Sequence, residues 1–367
     1  MLPSLKITKV AQSRLPGLDI DTLVFGETFS DHMFTMVYED GAWQNPEVVP
    51  YGPVPVPPGA ISLHYAQAVF EGMKAYRGDD GAIRLFRPKR NADRLIASSE
   101  RLCIPPIDEE TFIGALHALI EVDADWIAPP PYSLYVRPVV FSIEDHIEVR
   151  PSRRYRFCII TTPVKAYFRD DGKGLSLKVE EDYTRAAPIG GLGAAKTGAN
   201  YAGTLMSAAA ARAEGFDQVL WLDGHERRFV EEAGLMNVFF KIDGRVITPP
   251  LGGTILPGIT RESLIVLLGE RGQSVEERAV DIDEVVEAAK AGQLEEIFAC
   301  GTAAVVAPIG RLNHRGRDIT PAGPIPGPVT QSLYDELSGI QYGRVPDRHG
   351  WTDVVVPSED RITRRLA

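Results

Sequence analysis

The chain has 367 residues, 44% hydrophobic and 24% charged, a balance that supports a buried core in one large domain or two. Its formal net charge of −11 argues against a nucleic-acid partner, and no apolar run reaches the length of a membrane span. Three scattered cysteines and seven dispersed histidines offer neither a disulfide framework nor ligand spacing, so no metal is expected and the setting expected is cytoplasmic. Residues 1–19 lack the apolar core and cleavage pattern of a secretory signal.

The first hundred residues read as antiparallel strands. Phe34–Tyr38 and Ala42–Gln44 flank Glu39-Asp40-Gly41, a hairpin signal. Asp80-Gly81 joins Met73–Tyr76 to Ile83–Phe86, and the proline-rich stretch Tyr51–Pro58 is extended. A helix is predicted over Asn91–Leu102 with Asn91 as N-cap, and another over Asp108–Trp126 with Phe112, Leu116, Leu119 and Ile120 on one stripe. The strand Tyr132–Phe141 carries Tyr135 and Arg137 on one face, and Tyr155–Thr162 is a further strand. These elements make residues 1–163 a small α+β domain. Residues 164–185, rich in Gly, Lys and Asp, read as an interdomain linker or loop, and 186–367 as a larger domain.

In the larger domain Asn200–Glu214 reads as one helix closed by Gly215, and Gln218–Leu222 as a buried strand. Strands at 238–242 and 245–248 pair across Asp243-Gly244. Thr260 is placed as the cap of a helix over Arg261–Arg271, and Asp281–Ala291 is another helix. Glu296–Cys300 is a strand running into Gly301-Thr302-Ala303-Ala304, Val329–Ser338 is the last helix, and the tail from Tyr342 is polar.

The chemistry centres on Gly190–Tyr201. Lys196 has no other charged residue within ten positions, and it sits among glycines and alanines. A lysine in such surroundings is desolvated, which lowers its pKa and frees the amine as a nucleophile toward a carbonyl cofactor. Two other readings stand beside this one: a flexible loop whose lysine points to water, and a phosphate-binding P-loop. The P-loop match is partial, because Ala195 stands where glycine is required and no apolar strand leads in. Gly258-Ile259-Thr260 at a helix start and Gly301-Thr302 after a strand are candidate anion sites. Arg94 offers a charged fork, and the Glu231-Glu232 pair offers a carboxylate for a cofactor's ring nitrogen.

Taken together and in order, these motifs resemble the branched-chain amino acid aminotransferases, which are class IV aminotransferases of the fold type IV pyridoxal-phosphate enzymes. The resemblance spans about His64 to Gly310. It is carried by Phe70-Glu71-Gly72-Met73-Lys74, Asp93-Arg94-Leu95, Tyr135-Val136-Arg137-Pro138, Ala195–Tyr201, Glu232–Asn237, Leu256–Arg261 and Gly301-Thr302-Ala303. It implies an α+β fold of two domains, a small antiparallel α/β domain and a larger pyridoxal 5'-phosphate (PLP) domain with a β pseudo-barrel. It implies transamination between leucine, isoleucine or valine and 2-oxoglutarate, giving branched-chain 2-oxo acids and glutamate.

By the same resemblance Lys196 is the Schiff-base lysine and proton shuttle, Tyr201 the phenol near the cofactor's O3′, and Glu232 the partner of its ring nitrogen. Arg94, Ile259, Thr260 and Thr302 form the phosphate cup. Ala303 and Ala304 offer backbone N–H groups to the substrate α-carboxylate or the phosphate cup, and Tyr65, Phe70, Tyr135, Arg137 and Tyr167 line the side-chain pocket. Ile147 and Val149 belong to a loop that closes the pocket of a partner subunit, so a homodimer is implied. Ala199 and Leu235 depart from residues common in the family. Ala304 and Ala307 stand where some members carry a thiol pair, so no redox switch of that kind is expected. D-amino acid aminotransferases and aminodeoxychorismate lyases share the lysine and glutamate and are the alternative within the fold.

Overall fold

The structure, a computed structural model, describes residues 4–165, 172–188 and 190–356. Backbone contacts divide it into two units: one of residues 4–165, 195–198 and 339–356, the other of 172–188, 190–194 and 199–338. Residues 195–198 and the C-terminal stretch thus group with the first unit, although the sequence reading placed them in the larger domain.

The first unit opens with β1 (Lys6–Ile7), β2 (His32–Glu39) and β3 (Ala42–Pro50). Asp40 and Gly41 between the last two have φ of 53° and 83°, the doubly left-handed turn that matches strand twist. Then follow α1 (Ile61–Tyr65), β4 (Ala68–Phe70), β5 (Met73–Arg77), β6 (Ile83–Phe86), α2 (Pro88–Arg101), α3 (Glu109–Val122), β7 (Ser133–Ser142) and β8 (Tyr155–Val164). The sheet order is β1-β3-β2-β8-β7-β5-β6, with β4 also on β7. The four predicted stripe residues of α3 are fully buried in the same cluster as Phe34 and Phe157. Asp108 caps this helix by accepting the Thr111 N–H at 2.8 Å.

The start of α2 differs from expectation. Pro88 takes the first turn, where its missing N–H costs nothing, and Arg87 precedes it at φ 50°. Asn91 is therefore an interior, buried residue whose side chain serves another partner.

The second unit contains β9 (Leu175–Glu180), α4 (Gly198–Ala202, its first residue in the other unit), α5 (Leu205–Ala213), β10 (Gln218–Leu222), β11 (Val230–Ala233), β12 (Asn237–Ile242) and β13 (Arg245–Thr248). It continues with α6 (Ile259–Glu270), β14 (Val275–Glu277), α7 (Ile282–Lys290), β15 (Leu294–Gly301), β16 (Val305–His314), β17 (Arg317–Ile319) and most of α8 (Pro328–Gln341). Its curled mixed sheet runs β11-β10-β9-β16-β15-β12-β13-β14, with β17 on β16; this is the sheet of the expected pseudo-barrel. The last strand, β18 (Thr352–Val356), pairs antiparallel with β6 and buries Val355 and Val356 in the first core.

Three sequence expectations change here. The stretch taken as a linker contains β9, a strand flanked by β10 and β16; Leu177 and Val179 fill the core while the charges between and beside them drew the loop reading. The polar tail likewise hides β18. The single helix predicted over 200–214 is two, α4 and α5, parted at Gly203-Thr204. No helix among the described residues is long and apolar enough to cross a membrane.

Because Leu177 is fully buried, Leu177→Ala should cost about 2–5 kcal/mol in urea unfolding, whereas exposed Lys178→Ala should stay within about 0.5 kcal/mol. Equal, small effects would contradict a packed β9.

Candidate active site

Lys196 is fixed through its backbone. The Phe70 N–H donates to the Lys196 carbonyl at 3.0 Å, the Lys196 N–H donates to Ser98 Oγ at 2.9 Å, and the Thr197 hydroxyl donates to the Ala68 carbonyl at 2.8 Å. Thr197 also bridges to Val69, so the segment lies along β4. That placement removes both the solvent-loop and P-loop readings, since the lysine is tied to a strand edge and no strand feeds the glycine run. The amine stands 5.0 Å from the Phe70 ring centroid. Desolvation acts most strongly on it and, with the charge of Arg94, pulls its pKa down to about 8, against the opposing pull of Glu71. An amine in that range is largely neutral in mildly alkaline solution and so nucleophilic.

Glu71, which sequence reasoning quoted but gave no role, is the anchor of this half. It is completely buried at the β4–β5 junction. Arg94 on α2 donates Nε to Oε1 at 2.7 Å and Nη2 to Oε2 at 2.8 Å, and Asn91 Nδ2 reaches Oε2 at 2.7 Å. The Gly72 N–H adds a fourth bond at 3.1 Å. Burial, the largest influence, would raise the carboxyl's pKa, but Arg94, Lys196 and Asn91 together hold it below the ordinary value. One edge of the Arg94 guanidinium is thereby committed to Glu71. The signal in the sequence was a lone acid inside the apolar run Ala68–Met73, a charge that needs a partner if buried.

Arg137 on β7 lies 4.5 Å from the Phe70 centroid and 5.3 Å from the Tyr135 centroid, and its Nη2 donates to the Tyr135 hydroxyl at 3.0 Å. Its Nε is buried without a hydrogen-bond partner. A Cβ on Gly72 would collide with the Tyr135 hydroxyl, so glycine there lets Tyr135 take this position. Phe70, Tyr135, Arg137, Arg94 and Lys196 are thus joined through direct contacts and shared charges. Tyr65 sits differently: it is half exposed and donates to the Ile147 carbonyl at 3.0 Å, on the loop with exposed Ile147 and Val149. Tyr167 lies outside the described residues.

The second unit holds the remaining candidates. Glu232 on β11 is buried, accepts the Leu256 N–H at 2.9 Å, and pairs with Arg185 Nε at 3.2 Å. Asn237 Nδ2 donates to the Leu256 carbonyl at 3.1 Å, and a Cβ on Gly258 would strike Asn237 Oδ1. Gly258, not Thr260, is the N-cap of α6; Ile259 and Thr260 form its first turn, with Thr260 buried. A helix N-terminus of this kind suits an anion. Thr302, Ala303 and Ala304 link β15 to β16 and end at Val305, a β-branched residue at φ 60°, which costs about 1–3 kcal/mol. Tyr201 on α4 is half-buried beside Asn200, whose amide donates to the Leu192 carbonyl at 2.7 Å. Cys158 and Cys300 are buried free thiols, and Cys103 is exposed and free.

Residues 68–312 match the family described as amino-transferase class IV, and the chain belongs to that family. It is 48% identical over 334 residues to the branched-chain-amino-acid aminotransferase of Mycolicibacterium smegmatis, covering 89% of this chain and 90% of that one. Among solved structures it resembles the Escherichia coli branched-chain amino acid aminotransferase, with a TM-score of 0.72 at 26% identity over 87% of this chain and 99% of that one. It also resembles the PLP-form of the Thermobaculum terrenum enzyme, with a TM-score of 0.72 at 25% identity over 88% and 98%.

The opposed influences of Arg94 and Glu71 on Lys196 give a two-sided test. In cofactor-free protein, trinitrobenzenesulfonate labelling of Lys196 should rise through about pH 8. Glu71→Gln should move that midpoint down and Arg94→Met should move it up. Unmoved midpoints would show that the pair does not set the amine's proton affinity.

Proposed function

We propose that the chain catalyses PLP-dependent transamination between leucine, isoleucine or valine and 2-oxoglutarate, as a cytoplasmic homodimer. The observation that carries this reading is the desolvated Lys196 amine, held near pKa 8 between a buried carboxylate and a guanidinium. Membership in the class IV aminotransferases and the named relatives support the same activity rather than the D-amino acid or aminodeoxychorismate alternatives.

The residues fit the cofactor. A neutral lysine suits its aldehyde, an ion-paired glutamate its ring nitrogen, and a helix N-terminus with a threonine hydroxyl its phosphate. When bound, PLP supplies the carbonyl that joins the amino group and the ring that takes up the electron pair of the broken Cα–H bond. With PLP bound, the Lys196 amine would remove the Cα proton and return it on the other side of the exchange. Glu232 would hold a proton at the ring nitrogen. Tyr201 would lie toward O3′, and Arg94, Ile259, Thr260 and Thr302 would hold the phosphate.

One pocket must accept both leucine and glutamate. Phe70 and Tyr135 offer apolar faces, while the unpartnered Arg137 Nε awaits an acceptor that a γ-carboxylate provides. Backbone N–H groups of Ala303 and Ala304 take the α-carboxylate, and Tyr65 and Tyr167 complete the assigned pocket. Leu63, Tyr65, Ile147 and Val149 are 64%, 50%, 64% and 81% exposed, which supports a second copy covering this surface of the first unit.

Lys196→Ala should fold with an unchanged circular dichroism spectrum and lose leucine transamination; wild-type turnover by that variant would remove the assignment. Arg137→Met should lower kcat/KM for glutamate about 10–100-fold, the worth of one buried charged hydrogen bond, while leucine changes less than about threefold. Equal losses for both substrates would take Arg137 out of γ-carboxylate recognition.

A further inference from the structure

Two adjacent acids, Glu231 and Glu232, are both buried on β11, and the charge of Arg185 acts on each of them. Arg185, itself 6% exposed, places Nε 3.2 Å from Glu232 Oε2. Its Nη2 donates to the Thr254 carbonyl and, at 3.4 Å, to the Gly193 carbonyl. The guanidinium is therefore locked between the glycine loop and the loop before α6. Glu231 fares differently. Its Oε2 has no hydrogen-bond partner, and burial pushes its pKa up, with Thr254 and Arg185 opposing and Asp223 adding to the rise. On the far side Cys300 feels both Glu232 and Arg261, and its thiol is pushed well up by burial. Arg261 is occupied by Glu277 at 2.7 Å and by the Pro249 carbonyl at 3.0 Å.

From this arrangement we infer that Arg185 is a positioning residue that supplies the counter-charge keeping Glu232 ionised and orients it toward the cofactor's ring nitrogen. The physical ground is that a carboxylate stripped of water stays charged only with a counter-charge and hydrogen bonds. Glu232 has both, from Arg185 at 3.2 Å and the Leu256 N–H, whereas Glu231 Oε2 has no hydrogen-bond partner. The proposal rests on the assignment of Glu232 to the ring nitrogen and adds the group that makes it competent. It also gives a role to an arginine at the end of the stretch whose composition reads as a linker.

Charge and carbonyl bonding are separable by substitution. Arg185→Gln keeps a donor for the Thr254 carbonyl and loses the charge; Arg185→Lys keeps the charge and loses the planar fork. In cofactor-free protein, infrared difference spectra should show a protonated-carboxyl band in Arg185→Gln that disappears in Arg185→Gln/Glu232→Gln and is absent from Arg185→Lys. Titration with PLP should give a Kd raised at least about tenfold in Arg185→Gln and within about threefold of wild type in Arg185→Lys. In a Glu232→Gln background, Arg185→Gln should add no further loss. The proposal is overturned if Arg185→Gln shows neither the band nor the weaker binding, if its effect adds fully to that of Glu232→Gln, or if both substitutions weaken binding equally. Should Arg185→Gln not fold, Glu232→Gln in cofactor-free protein decides, since it strands a buried cation and should lower the melting temperature by several degrees; an unchanged melting temperature would count against the pairing. If Glu232→Gln binds PLP as tightly as wild type while the infrared band still appears, the ring-nitrogen assignment fails and the Arg185–Glu232 ion pair survives.

Discussion

A carboxylate with no exposed surface needs a positive partner, and the Glu71–Arg94 pair meets that need at the place where Lys196 is held. Removing either member of such a buried pair costs about 3–5 kcal/mol, because the survivor is left charged without water. The pair also determines how α2 meets β4 and β5, since Arg94 and Asn91 reach Glu71 from the same helix. Lys196 then hangs from β4 and Ser98 by its own backbone. Local strand pairing, helix placement and the electrostatics of the amine are consequences of one buried charge.

Lysine pKa alone does not single out the nucleophile. Lys74 on β5 is also buried, and burial by itself brings it to about 8. The difference lies in the surroundings. Lys196 has an arginine and a glutamate acting in opposite directions on its amine, with Arg137 and Tyr135 also within electrostatic reach. A proton shuttle must gain and lose a proton repeatedly, and balanced neighbours keep both states within reach. Desolvation by itself favours the neutral state only.

Much of this was legible in the sequence. Period-2 and period-3.6 patterns located β2, β3, β7, β8 and α3, and Asp-Gly pairs located the β2–β3, β5–β6 and β12–β13 turns. The site motifs were readable because their residue types are chemically unusual: a lysine among glycines, a threonine at a helix start, paired acids. The errors share a physical origin. β9 and β18 have charged residues beside their buried ones, and composition averaged over a window hides a strand that is half-buried. Asn91 and Thr260 looked like caps by type, but Pro88 and Gly258 begin those helices. Glu71 and Arg185 escaped because their importance is pairwise: each matters through a partner 23 or 47 positions away, a distance no local pattern encodes.

The most direct test of the central claim asks which amine bonds to the cofactor. Borohydride reduction of the PLP-loaded protein, followed by tryptic mapping, should place the reduced cofactor's mass on the peptide containing Lys196 at about one per chain. Mass on the peptide containing Lys74, or on no lysine, would contradict the account.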